Sequence, residues 1–68
     1  MKEMNKIDCI RYCENAIKEM WEKYGKPADY NKRREVYAHC KEVCKKNGYT
    51  GMCFISIWNA ASKNAHGE

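Results

Sequence analysis

Between residues 4 and 24 the apolar side chains recur at steps of three and four. Ile7, Ile10, Cys13, Ile17, Met20, Trp21 and Tyr24 share one side of a helix, and Asp8, Arg11, Asn15, Lys18, Glu19 and Glu22 fall on the other. Gly25 readily takes the left-handed conformation that ends a helix, and Pro27 opposes its continuation, so residues 25–29 read as a short connection. A second helix is predicted from Asp29 or Tyr30 to Lys46. Its apolar stripe is Val36, Tyr37, Cys40, Val43 and Cys44, and Lys45 and Lys46 suit the negative end of its dipole. Asn47 and Gly48 break the pattern, and the Thr50 hydroxyl is placed to cap a third helix. There Phe54, Ile57, Trp58, Ala61 and Ala65 stand at helical spacing. Residues 54–58 would also suit a strand, but Ala60, Ala61, Lys63 and Ala65 favour helix. Residues 64–68 are expected to fray. The expected fold is all-α: three short helices in a single small domain over residues 1–68, the first two an antiparallel hairpin with the third packed across it.

A chain of 68 residues buries little apolar surface, and domains of this size often add disulfides or a metal. Five cysteines fit that need, and their odd number leaves at least one outside any internal pair. Cys9 and Cys13 are four apart on the first helix, and Cys40 and Cys44 four apart on the second, so each pair lies on one face. With the turn centred near Pro27, residues equally distant from it in an antiparallel hairpin share one height. Cys9 then faces Cys44, and Cys13 faces Cys40. Oxidised, these pairs staple the open end of the hairpin, and the outer bridge contributes about 4 kcal/mol in the chain-entropy model. Reduced, the same four serve as small apolar core residues. Four thiolates also suit tetrahedral zinc, although structural zinc sites usually place cysteines closer together on turns, and no metal is assigned. Cys53 is left as a free thiol within the chain.

The segments Cys9-Ile10-Arg11-Tyr12-Cys13 and Cys40-Lys41-Glu42-Val43-Cys44 resemble the paired Cys-x3-Cys motifs of helical-hairpin peptides. Those are the plant alpha-hairpinins, short helical channel-blocking toxins and the small translocase chaperones of the mitochondrial intermembrane space. The resemblance covers only these four cysteines, with a longer gap between the motifs, and it implies nested bridging of Cys9 with Cys44 and Cys13 with Cys40. The eight residues between Cys44 and Cys53 are similar in spacing to several small helical hormones and pheromones, whose further cysteines are absent here.

Charge adds a partner class. Thirteen Lys and Arg against nine Asp and Glu give a net charge of +4, which favours an anionic partner. Arg33, Arg34, Lys41 and Lys45 are the cations expected to steer an acidic protein surface. Tyr24, Tyr30 and Tyr49 are expected to stay partly exposed as contact residues, because three short helices cannot bury every ring. No apolar run is long enough to span a membrane, and no basic start leading into an apolar stretch marks a signal peptide. Met1 reads either as the start of an intracellular protein or as a residue preceding a mature exported chain.

Enzymatic chemistry is not expected. His39 adjoins Cys40, but neighbouring helical residues point about 100° apart, so the imidazole should face solvent while the thiol faces the hairpin. His66 belongs to the segment expected to fray, and no phosphate loop or His-x3-His motif is present. A rival reading starts at residues 43–50, where Cys44, Gly48, Thr50, Phe54 and Ile57 resemble a helix-turn-helix. Gly48-Tyr49-Thr50 there looks like the turn of tetracycline-repressor-type domains. Its reading face, residues 51–55, carries no Arg, Asn or Gln for base contacts. The expected function is therefore a non-enzymatic, cofactor-free, disulfide-stapled helical binding protein of toxin, inhibitor or signal type, secreted or exported. The alternative is a cytoplasmic regulator binding DNA or a DNA-associated protein.

Overall fold

The computed structural model describes residues 4–67. Helix α1 spans Lys6–Tyr24 and starts from a capping box. Asn5 Oδ1 accepts the Asp8 amide at 2.8 Å, and Asp8 Oδ2 accepts the Asn5 amide at 3.3 Å, which satisfies two amides left over at a helix start. It ends at Gly25, where φ is +98° and the amide donates to the Trp21 carbonyl at 2.8 Å. A side chain is strained at that φ, which is why glycine suits the position.

Helix α2 spans Tyr30–Lys46, with the Asp29 carboxylate accepting the Lys32 amide at 2.9 Å. At its other end Asn47 works in two directions. Its Nδ2 donates to the Val43 carbonyl at 2.9 Å, and its Oδ1 accepts the Met4 amide at 2.9 Å, tying the start of the chain to the end of α2.

Helix α3 spans Met52–Gly67. Gly51, at φ +57°, turns the chain into it. Thr50 contributes its carbonyl, which accepts the Cys53 amide at 3.1 Å, in place of the expected hydroxyl cap. The third helix does not fray at residue 64: Ala65 is buried, and the helix runs to Gly67 because its last turn packs on α1 through the His66 and Trp21 rings, 4.9 Å apart. Glu68, also expected to fray, lies outside the described residues.

The described residues are thus all-helical outside turns and connections, with no strand among them. Helix α1 is central. It packs most extensively on α3 and also on α2, whereas α2 and α3 meet only sparsely. The third helix therefore leans on the first, where it was expected to lie across both. Ala61 and Ala65, small and buried on one face of α3, permit that close approach.

The core consists of Cys9, Cys13, Ile17 and Met20 from α1, Cys40 and Cys44 from α2, and Phe54, Ile57, Ala61 and Ala65 from α3. Ala28, in the connection, completes it at 3 % exposure. Two members of the expected apolar face of α1 stand outside this core: Ile7 is 61 % exposed and Tyr24 52 %. Cys9, Cys13, Ile17 and Met20 form one stripe; Ile7, two residues from Cys9 and so about 200° round the helix, points away from it, and Tyr24 is the last residue of α1, past Met20. On α2, Val36 and Val43 are only half-buried and Tyr37 is exposed, because this helix is covered chiefly from one side.

Phe54 is 1 % exposed and meets the Tyr37 ring edge-on at 5.3 Å. Phe54→Ala is expected to cost about 3–5 kcal/mol, most of the stability of a domain this small. Ile7→Gln should stay within about 0.5 kcal/mol. Urea unfolding followed by circular dichroism compares the two, and equal losses would contradict the core described here.

Candidate functional site: a basic aromatic groove beside four buried thiols

Because α2 and α3 both pack on α1 but hardly on each other, a groove of about 840 Å³ opens between them. Ile17, Met20 and Trp21 reach it from α1, Tyr30 and Tyr37 from α2, and Trp58 from α3. Its rings are braced by one another: Tyr37 meets Trp58 edge-on at 5.1 Å and 82°, and His66, whose Nδ1 donates to the Ser62 carbonyl at 2.8 Å, stands edge-on to Trp21.

Four cations line the same groove, Lys26, Arg33, Arg34 and Lys41, and no Asp or Glu does. Several lie against rings. Lys26 Nζ is 4.4 Å from the centre of the Trp21 ring, and the Arg33 and Arg34 guanidinium carbons are 5.9 and 5.7 Å from that of Tyr30. Such contacts hold the charges over the ring faces at little electrostatic cost. An apolar floor with a rim of one sign is suited to a ligand that is apolar on one side and anionic around it.

Of the residues predicted to bind a partner, Arg33, Arg34, Lys41 and Tyr30 come together here. The others do not. Lys45 is exposed outside the groove. Tyr24 lines a separate recess of about 270 Å³, where Glu19 and Glu35 mix with Lys23, and it carries Lys32 Nζ 4.8 Å from its ring centre. Tyr49 is partly buried against the core, and its amide donates to the Cys44 carbonyl at 2.9 Å. Sequence reasoning missed Trp21, Tyr37 and Trp58 as lining, since helical spacing assigns them to the core. It also passed over Lys26 and His66. The surplus of rings over available core volume was the only signal of an aromatic surface.

Cys9 and Cys13 of α1 and Cys40 and Cys44 of α2 are fully buried and unbridged, while Cys53 is exposed. The thiols of Cys9 and Cys13 on α1 stand close to those of Cys40 and Cys44 on α2. The diagonal Cys13 and Cys44 sulfurs lie 3.9 Å apart. Burial pushes the Cys9 thiol up to about 12 and Cys44 up to about 11. Cys13 is raised further, first because its proton is shared with Cys40 and then by burial; Cys40 is drawn down because it accepts that hydrogen bond.

The raised thiols, Cys9, Cys13 and Cys44, stay neutral near pH 7 and are poor nucleophiles. His39 is exposed as expected, but its Nε2 bonds the Tyr12 hydroxyl at 2.6 Å, and burial keeps that hydroxyl protonated above its ordinary range. Among the described residues no group of three or more His, Cys, Asp or Glu is arranged to hold a metal ion. No helix among them is long and apolar enough to cross a membrane. No protein-family model matches the chain, and no curated protein or solved structure is significantly similar to it.

The raised thiols give the reduced protein a defined alkaline limit. A thiol is near 8.5 when unfolded, so the stability gained by holding it neutral is fully present below about pH 8.5 and is lost as pH rises towards the folded values. Reduced protein should therefore lose stability between pH 7 and 10, measured by urea unfolding. Cys9→Ala, less stable at pH 7, should lose less over the same interval. Equal losses in the two would remove the Cys9 thiol as a cause.

Proposed function

We propose that this is a small, non-enzymatic, disulfide-stapled helical binding protein that docks on an acidic surface of a protein partner. The observation that carries the reading is the groove, with four cations, clustered rings and no carboxylate in its lining. Partner recognition divides between the two sets: rings supply contact area, and charges steer the encounter. A non-enzymatic role is supported by the separation of Cys40, fully buried, from His39, which is exposed and bonded to Tyr12.

The scaffold is an antiparallel hairpin of α1 and α2. Supporting contacts run from Met4 to Asn47, from Tyr12 to His39 and from Cys13 to Cys44, so the start of α1 meets the end of α2. Bridges join Cys9 with Cys44 and Cys13 with Cys40, all four thiols being buried in one core, and Cys53 stays unpaired within the chain. This is the nested pattern of the helical-hairpin peptides, and it accords with an exported protein acting as an inhibitor, toxin or signal.

Two measurements test the proposal. Intact mass of the native protein should rise by four hydrogens on reduction, and peptide mapping should never find Cys53 joined to the other four. Reversing Arg34 and Lys41 to Glu should slow association with a polyglutamate probe and flatten its salt dependence. The same reversal at Lys45 and Lys46 matches the change in net charge outside the groove and should act less. Tight binding of mixed duplex DNA at physiological salt, equal in reduced and oxidised protein, would replace this reading with the nucleic-acid one.

A further inference from the structure

The side of α2 that faces the groove carries a pattern of which this chain packs only Tyr37, against Phe54 and Trp58. Tyr30, Arg34, Tyr37 and Lys41 all line the groove, and their spacing of four, three and four is that of a helix seam built to receive another helix. Cys40 and Cys44, by contrast, are buried towards α1. Resting on the reading of an acidic protein partner, we propose that the groove seats an amphipathic acidic helix of about three turns from that partner, lying between α2 and α3 as a fourth helix.

Three features select this occupant. Length is the first: Tyr30 to Lys41 spans about 16 Å at the helical rise, which is about three turns of a partner helix. Backbone chemistry is the second. The groove walls are helical, and no strand exists among the described residues, so an extended peptide would find no ladder for its amides and carbonyls. A helix satisfies its own backbone and presents side chains only.

The third feature is complementarity. Trp21, Tyr37 and Trp58 form a floor for apolar anchors at successive turns. Lys26, Arg33, Arg34 and Lys41, with no carboxylate among them, receive Asp or Glu flanking those anchors. A second copy of this chain fits less well, because each copy carries a net charge of +4.

The test uses the full chain and three synthetic peptides of about 14 residues, long enough to present three turns. One carries a helical Leu stripe among Glu residues, one has the same composition scrambled to remove the stripe, and one keeps the stripe but replaces Glu with Lys. Trp21 and Trp58 both line the groove, so their fluorescence reports binding. The striped acidic peptide should bind at least about tenfold more tightly than either control and gain helix on binding. Arg34→Glu with Lys41→Glu should reverse the preference towards the Lys peptide, while Lys45→Glu with Lys46→Glu should keep it. Equal binding of the striped and scrambled acidic peptides would overturn the helix seat and leave the acidic-partner reading standing. Failure of both acidic peptides would remove both. Sedimentation showing a dimer that the Arg34 and Lys41 reversal dissociates would assign the groove to a second copy and overturn the proposal.

Discussion

Everything else in this molecule depends on how four buried cysteine side chains hold α2 against α1. Helix α2 buries only Cys40 and Cys44 fully and touches α3 sparsely, so its attachment to the rest of the protein is the thiol cluster with its half-buried neighbours. That attachment fixes the rotation of α2 about its own axis. With Cys40 and Cys44 turned to α1, the Tyr30, Arg34, Tyr37 and Lys41 side lies roughly a quarter turn away, facing the groove.

The choice of cysteine for this contact has consequences that leucine or valine would not bring. Thiols gathered between two helices pack as small apolar groups. Burial holds Cys9 and Cys44 neutral, so the cluster contributes to the core in the reduced form too. In a domain with so few large buried side chains, Phe54 and Ile57 foremost, a covalent link between α1 and α2 would add to stability mainly by restricting the unfolded chain. The same small core explains why rings remain at the surface: three short helices enclose Phe54, and Trp21, Tyr30, Tyr37 and Trp58 gather where α2 and α3 part.

The connecting segments set the geometry of that parting. Asn47 clamps the start of the chain to the end of α2, and Ala28 is drawn into the core from the connection between α1 and α2. Lys26 is thereby brought over Trp21 at one end of the groove. At the other side, His66 and Ser62 belong to the last turns of α3, which are ordered because Ala65 is buried there. The groove is thus a product of all three helices and of the first connection.

Periodicity, glycine and cap residues were enough to place the three helices, because those signals act within a few residues of where they stand: Asp29 starts α2, Gly25 ends α1, and steps of three and four mark each buried stripe. Spacing likewise put each cysteine pair on one helical face, and the burial of all four followed from it. Which face of α1 would be covered, and how far, was not a local matter. Ile17 and Tyr24, seven apart, lie on the same side of α1, yet one is buried and the other exposed, since only the position of α2 and α3 separates them. The same holds for Trp21, Tyr37 and Trp58, whose spacing says that they face inward but not that the space before them is left open. The sequence alone therefore determined elements, cysteine faces and excess positive charge. Tertiary packing decided that the rings and four of the cations would share one groove, because that depends on two helices that each touch a third and barely touch each other.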